Sequence, residues 1–234
     1  MVAAVAGAEV DIAWVWDHQA PPLQASAWAV TVTQIQLDGA TLTERPRTRT
    51  LPPHGSRTVI PVVHVEPDAR RAAQPLTDVQ RQAITRRVLG VATGSTSGWV
   101  QLDFEARPSQ RDSYHALVRD IRAALPAATK LSVTVLAWQC RSAAWMQPLA
   151  ADEVVPMFFQ LGRDSDAWLE QAVSGGPQLQ PRCRQAAGFS PSLTPPARLP
   201  ANWQRRYWFN LQRGRATAWP ADLQQLVWPT VPSP

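Results

Sequence analysis

Short apolar segments rich in β-branched residues alternate along the chain with segments whose apolar residues recur at helical spacing. This alternation is typical of parallel α/β folds, in which a helix follows each strand. Eight segments predict strands: Val10–Trp16, Trp28–Leu37, Thr58–Val65, Trp99–Glu105, Leu131–Trp138, Val154–Leu161, a short one near Ala187–Phe189, and Tyr207–Leu211.

Helices are predicted between several of these strands. The clearest carries Tyr114, Leu117, Val118 and Ile121 at helical spacing and ends before a proline. Residues Asp38–Arg57 are rich in turn-forming residues and arginine and predict little helix. The predicted helices run from the N-cap Thr77 to about Val91, over Ser109–Leu125, over Ser165–Val173 and over Pro220–Val227.

Eight strands interleaved with helices favour a compact (β/α)8 TIM-type barrel over an open doubly wound sheet. The segment Gln178–Ala201 is rich in Pro, Ser and Gln, which predicts an irregular seventh unit. No G-x-G-x-x-G or G-x-x-x-x-G-K-[ST] motif follows a strand, so the phosphate-binding open sheets lose their main support. We expect one barrel domain over residues 10–234.

The first nine residues predict the remnant of an export signal. They are small and apolar and contain Ala6-Gly7-Ala8, the A-x-A pattern of a signal-peptidase site, but no basic segment precedes them. Our hypothesis is that the start codon lies inside a longer signal and that the protein is periplasmic or secreted. If Met1 is the true start, the protein is cytoplasmic.

Cys140 and Cys183 lack the spacing of metal ligands. They are either two free buried thiols or, in an oxidising compartment, one disulfide.

Composition indicates a globular protein, with 45% hydrophobic and 18% charged residues. No apolar run approaches the roughly 20 residues of a membrane span. The net charge is +5, but the basic residues are scattered arginines with Lys130 as the only lysine, and no nucleic-acid motif occurs. We therefore expect no nucleic-acid partner. Eleven tryptophans against two tyrosines favour a carbohydrate ligand, since indole faces stack on sugar rings.

The fourth predicted strand carries the main candidate chemistry. Gln101, Asp103 and Glu105 share one face, and the alternate residues are apolar and must pack on helices. The polar face therefore points into the barrel and rises toward its carboxyl-terminal rim, where barrel active sites lie. Two neighbouring carboxylates repel, which raises the pKa of one and suits a proton donor. The alternatives are a buried carboxylate paired with arginine, or a solvated glutamate at the rim.

These segments resemble known families. Trp99–Glu105, the helix Tyr114–Leu125, Leu131–Val135 and Asp152–Phe159 are similar to strands four to six of barrels related to the family-18 chitinases. The chain is more similar to an uncharacterised bacterial family, domain of unknown function 3142. That likeness covers Trp14–Trp16, Val62–Glu66, Gln101–Glu105, Val154–Gly162 and Tyr207–Asn210. The resemblance implies the barrel fold and, for the smaller family, no established activity.

The chitinase pattern implies roles for two carboxylates. Glu105 falls on the proton donor, and Asp103 on the residue that orients the substrate amide. Gln101 and Gly98 stand where that family has two further acids. Phe159 and Gln160 stand where it has Tyr and Asp, and the loss of the hydroxyl and the charge weakens the stabilisation of an oxazolinium-like intermediate. The resemblance therefore implies a chitinase-like pocket rather than a working chitinase.

The lack of acidic residues over most of the C-terminal third distinguishes between two glycosidase mechanisms. Retaining glycosidases with two carboxylates place them about 5 Å apart, on strands four and seven. Residues 171–220 contain no Asp or Glu, which excludes that arrangement. The chemistry must use Asp103 and Glu105 with substrate assistance, or recruit Glu66 or Asp17 as base.

Other residues are weaker candidates for the pocket wall. His64 and Glu66 share a face and, with Asp103, suggest a metal site, although a single His in such a strand is more often a core residue. Asp17 and His18 either line the mouth or form a turn. The remaining candidates for substrate binding, besides Glu66, are Gln101, Trp138, Gln160, Trp208 and Asn210; for the two tryptophans the alternative is core packing. We expect no metal and no cofactor.

Three hypotheses remain open. The first is an exported, glycosidase-like barrel acting on a polysaccharide or cell-envelope glycan, with Glu105 as general acid assisted by Asp103. The second is a non-catalytic barrel that binds glycan or an envelope partner. The third is a cytoplasmic hydrolase with unrelated substrates.

Overall fold

The computed structural model describes residues 10–25, 27–67, 73–192, 199, 202–211 and 219. Its strands are β1 (Val10–Val15), β2 (Ala27–Asp38), β3 (Thr41–Pro46), β4 (Thr58–Glu66), β5 (Trp99–Phe104), β6 (Lys130–Leu136), β7 (Glu153–Met157), β8 (Ala186–Phe189) and β9 (Arg205–Phe209). Its α-helices are α1 (Asp78–Thr93), α2 (Arg111–Ala124), α3 (Ala143–Met146) and α4 (Ser165–Val173). Short 3-10 segments cover Pro108–Gln110, Ala137–Arg141, Gly162–Asp164 and Pro181–Cys183.

Eight of these strands close into a parallel barrel. The order around it is β1, β2, β4, β5, β6, β7, β8 and β9, and β9 pairs with β1 through partners such as Trp14 and Phe209. The predicted (β/α)8 barrel is confirmed. The seventh unit is irregular, as expected, because β7 and β8 share a single register pair, Met157 with Gly188.

The remaining strand, β3, lies outside the barrel. β3 runs antiparallel to the second half of β2 and continues from a tight turn in which Gly39 has a φ of 57°. No helix occurs over residues 38–57, in line with the sequence, but the pattern did not reveal this hairpin.

Side-chain alternation divides the core into two regions. Inward-facing residues such as Ile12, Trp14, Val62 and Phe209 fill the barrel, and the Trp14 and Phe209 rings stack at 4.4 Å. The outward-facing residues pack against the helices, to which α2 contributes the residues that its spacing singled out: Tyr114, Leu117, Val118 and Ile121.

The helix boundaries agree closely with the sequence pattern. Thr77 caps α1 in a capping box with Gln80. The segment predicted as one helix over Ser109–Leu125 is a 3-10 turn followed by α2. The short α3 was not predicted. The predicted helix Pro220–Val227 and the proposed export remnant at residues 1–9 lie outside the described residues.

A disulfide joins Cys140, just after β6, to Cys183, just before β8. Of the two alternatives, two free thiols or one disulfide, the structure contains the disulfide. None of the helices that the structure describes is long and apolar enough to cross a membrane.

Candidate active site

A cavity of about 700 Å³ opens at the carboxyl ends of the barrel strands. Its described wall comes from six barrel strands and the residues that follow them: β1, β2, β4, β5, β7 and β9. Barrel enzymes carry their catalytic groups at this end. The polar and aromatic side chains of its described wall are Trp16, His18, Gln34, His64, Glu66, Asp103, Glu105, Phe159, Gln160, Phe209 and Asn210.

Asp103 lies at the base of this cavity with both carboxylate oxygens engaged. His64 Nδ1 is 2.6 Å from Oδ2, and Thr134 Oγ1 donates to Oδ1 at 2.5 Å. Parallel pairing of β4 with β5 places His64 directly beside Asp103. The carboxylate is nearly inaccessible to solvent. Three adjacent barrel strands therefore hold Asp103 in one orientation.

His64 takes its charge state from this contact. Burial lowers the pKa of the imidazole, but the charge and hydrogen bond of Asp103 together with the charges of Glu66 and Glu105 outweigh it. The pKa of His64 is therefore raised above its ordinary value.

Glu105 follows the last residue of β5 and reaches the mouth of the cavity. Its side chain is exposed and lines the cavity. Burial first and the neighbouring Asp103 second raise its pKa; His64 opposes the shift. A carboxyl group of this kind retains its proton to a higher pH than an ordinary glutamate, as a general acid requires.

Gln101 lies beneath the cavity, and the prediction that it lines the pocket is wrong. It is fully buried, and its Nε2 donates to Ser132 Oγ at 3.0 Å. Ser132 and Tyr207 in turn donate to Glu153 Oε1, each at 2.7 Å. Gln101 thus belongs to a polar network that fills the lower barrel.

Trp138 and Trp208 do not line the cavity either, which corrects their assignment as sugar-stacking residues. On β9 the residue Phe209 faces inward, so Trp208 faces outward, where its Nε1 donates to Asp11 Oδ1 at 2.7 Å. Trp138 lies beyond the end of β6, where the chain turns into a 3-10 segment, and packs edge-on against Trp145. Core packing, the alternative for both residues, is what the structure shows.

Glu66, Gln160 and Asn210 do reach the cavity. Gln160 has a φ of 55°, in the left-handed region that non-glycine residues rarely adopt. Asn210 reaches the cavity although Trp208, two residues earlier, faces outward, because the chain leaves β9 after Phe209.

Several wall residues were not assigned to the pocket from the sequence. Trp16 contacts the His64 ring edge-on at 5.2 Å, and Phe159 packs against Phe209 at 4.8 Å. Alternate residues of a strand share a face, so the inward-facing positions of β1 and β9 could have identified Trp16 and Phe209. Gln34 could not have been found this way, because a register irregularity between Thr31 and Thr33 of β2 changes which alternate residues face inward.

The two residues after Trp16 have different positions. His18 lines the mouth, whereas Asp17 accepts hydrogen bonds from Thr48 and Arg49 and thus forms a turn contact. Asp17 is therefore engaged outside the described cavity wall.

The charged side chains of the described wall are predominantly acidic. It contains the carboxylates of Glu66, Asp103 and Glu105, and no arginine or lysine among the described lining residues. In the part of the chain that the structure describes, no group of three or more His, Cys, Asp and Glu side chains is arranged to hold a metal ion. The arrangement brings a carboxyl group with a raised pKa, an oriented imidazole and aromatic surface into one cavity.

Comparison with known proteins establishes the fold. No protein-family model matches the chain, and no curated protein does. The structure is similar to the protein named chitinase A from Streptomyces coelicolor, with a TM-score of 0.57 at 12% identity, over 94% of this chain and 95% of that one. It is also similar to the spore cortex-lytic enzyme SleL of Bacillus cereus, with a TM-score of 0.53 at 15% identity, over 79% of this chain. The chain spans about half of SleL, since the match covers 51% of that protein. These likenesses, both under 25% identity, establish the (β/α)8 barrel fold.

Proposed function

We propose that this protein is a glycoside hydrolase acting on a polysaccharide or cell-envelope glycan, with Glu105 as the general acid. The observation that carries the proposal is the position of Glu105: a carboxyl group with a raised pKa in a large cavity at the catalytic end of the barrel. The structurally similar proteins named for chitin and spore cortex support a glycan as substrate.

In this proposal Glu105 protonates the glycosidic oxygen as its bond to the anomeric carbon breaks. Asp103 lies two residues earlier on the same face, where its negative charge helps to keep Glu105 protonated until the substrate binds. Trp16, Phe159 and Phe209 offer aromatic surface to the apolar faces of sugar rings. Gln160 and Asn210 offer amide groups to sugar hydroxyls.

We further propose that the protein is exported and belongs to domain of unknown function 3142. The disulfide between Cys140 and Cys183 supports export, because such bonds persist in oxidising compartments. The pattern over Gln101–Glu105 supports the family. N-terminal sequencing of the native protein tests export: a retained Met1 or Val2 would contradict it.

The hydrolase proposal is tested by incubating wild type and Glu105→Gln with a panel of polysaccharides and cell-envelope glycans. Glu105→Gln removes the transferable proton and retains the shape of the side chain. We expect it to lower product release by at least 100-fold while leaving glycan binding measurable. Glu170→Gln, an exposed substitution on α4, is the matched control and should behave as wild type. Wild type that binds glycan but releases no product contradicts hydrolysis.

A non-catalytic glycan-binding barrel is the second candidate. Phe159 and Gln160 favour it, because they lack the hydroxyl and the charge that the chitinase pattern has at these positions. Asp103 favours it too, since both of its oxygens already accept hydrogen bonds within the protein. Equal glycan binding by wild type and Glu105→Gln, without turnover by either, is the result expected for this alternative.

A further inference from the structure

The second catalytic group of this site is not a carboxylate on the opposite strands, since residues 171–220 contain none. We propose that His64 is the general base: its Nε2 accepts the proton of the water that attacks the anomeric carbon, and Asp103 is the positioning residue for its ring. This inference rests on the proposed hydrolase function and deepens it by completing the acid–base pair.

The hydrogen bond to Asp103 determines which nitrogen of His64 is available. A carboxylate oxygen only accepts hydrogen bonds, so Nδ1, at 2.6 Å from Oδ2, carries the hydrogen. In the neutral imidazole Nε2 then has the free lone pair. His64 lines the cavity, and Nε2 forms no hydrogen bond among the described residues. The basic nitrogen is thus unoccupied in a ring that borders the cavity.

The ring is held on rigid elements. His64 and Asp103 are register partners on β4 and β5, and Thr134 of β6 fixes the other oxygen of Asp103. Trp16 of β1 packs edge-on against the imidazole. A base that is oriented before the substrate arrives loses little entropy in the reaction.

The other carboxylates of the cavity are less suited to be the base. Asp103 is buried with both oxygens engaged, and Glu105 is the proposed acid. Glu66 is the competitor: it lies two residues beyond His64 on the same strand face, but it is exposed at the rim, and no hydrogen bond among the described contacts orients its side chain. The test below therefore includes it.

The proposed step is balanced in atoms and charge. The water oxygen bonds to the anomeric carbon as the glycosidic C–O bond breaks; Glu105 gives its proton to the leaving oxygen, and His64 takes one from the water. One water is consumed, and the proton returns from His64 to Glu105 through solvent. A single displacement inverts the anomeric configuration, whereas assistance by a substrate amide retains it.

The groups that face His64 predict the pH dependence. They are Glu66 on its own strand and Asp103 and Glu105 from β5 and its extension; all three are acidic and favour the protonated ring. Because the base works only when neutral and Glu105 works only while it holds its proton, kcat should pass through a maximum with pH, and the low-pH limb should disappear without the imidazole.

The kinetic test uses the full chain and a glycan from the panel that wild type cleaves. The anomer formed first is identified by proton NMR, and kcat and KM are measured against pH for wild type, His64→Gln, Glu66→Gln and the surface control His54→Gln. We expect inversion, a loss in kcat of at least 100-fold in His64→Gln with little change in KM, and loss of the low-pH limb of its profile. A retained product, an unchanged His64→Gln, or loss of the limb in Glu66→Gln instead overturns the inference.

A second measurement does not depend on turnover or on a variant that folds. Nitrogen-15 NMR of wild type should show His64 with its hydrogen on Nδ1 above its pKa, and a hydrogen on Nε2 overturns the inference directly. If wild type cleaves no glycan, the hydrolase proposal fails and the base role fails with it. If wild type is active and His64→Gln is equally active, only the base role fails.

Discussion

Asp11 on β1 accepts two hydrogen bonds from the guanidinium of Arg206 on β9, at 2.8 and 2.7 Å. The two residues are register partners at the seam where the first and last barrel strands meet. Trp208 Nε1 donates to the same carboxylate. A buried carboxylate thus links the two ends of the sheet, 195 positions apart in the chain.

Asp11→Asn should destabilise the barrel, because the amide retains the shape but removes the negative charge from a two-fold contact with the largely buried guanidinium of Arg206. We expect a loss of about 2–3 kcal/mol in the free energy of unfolding. Urea denaturation measures it, with the exposed Asp166→Asn on α4 as the control, expected within about 0.5 kcal/mol of wild type. A loss no larger than that of the control would show that the seam does not depend on this pair.

Gln160→Gly should not destabilise the protein, because glycine adopts the left-handed backbone of this position without a steric penalty. We expect stability equal to wild type or higher by up to about 1 kcal/mol. The same change at Gln147, whose φ of −63° is right-handed, should cost about 0.5–1 kcal/mol. Thermal unfolding of the two variants compares them, and a clear loss in Gln160→Gly would indicate that the side chain itself stabilises the fold.

Removing the disulfide should lower stability by up to about 4 kcal/mol, the chain-entropy value for its sequence separation of 43 residues. The double variant Cys140→Ser, Cys183→Ser isolates this effect in denaturant unfolding. Adding a reductant should lower the midpoint of wild type and leave the double variant unchanged. Insensitivity of the wild-type midpoint to reductant would contradict a stabilising bond.

The contact between His64 and Asp103 should make stability depend on pH with a definite sign. Since the pKa of His64 is raised in the folded state, the folded protein binds this proton more tightly than the unfolded chain. Its stabilisation is full below the ordinary histidine pKa of about 6.5 and is lost as pH rises through the folded-state value.

The free energy of unfolding of wild type minus that of His64→Gln should therefore decrease between about pH 6 and the raised pKa. His54→Gln, an exposed histidine in the loop after β3, should follow wild type at every pH. A difference that grows with pH would reverse the assigned sign.

Glu105→Gln should stabilise the protein above the ordinary glutamate pKa. The raised pKa of Glu105 means that the folded state disfavours the ionised carboxyl group, so stability falls as pH rises from about 4.5 through the folded-state value. The neutral amide removes this effect. At neutral pH we expect a higher denaturation midpoint for Glu105→Gln than for Glu170→Gln, and a lower one would contradict a destabilised carboxylate.

Much of the architecture could be predicted from local pattern. The period of two along β5 placed Gln101, Asp103 and Glu105 on one inward face, and the helical spacing of α2 identified its buried residues, because burial imposes both periods on the sequence. The alternation of inward and outward residues did not predict the position of Gln34, because β2 has a register irregularity before it. It also did not predict the position of Trp138, because β6 ends before its apolar run does.

The sequence by itself determined that the chain forms a (β/α)8 barrel and that a pair of carboxylates faces its interior, since both follow from periodicities written into each segment. Only the tertiary structure decided that Gln101 lies below the cavity, that Trp208 faces outward, and that His64 contacts Asp103. The contact between His64 and Asp103 depends on the relative register of β4 and β5, which are separated along the chain by α1. Register between strands arises from packing across the whole barrel, so no local pattern in either strand could specify it.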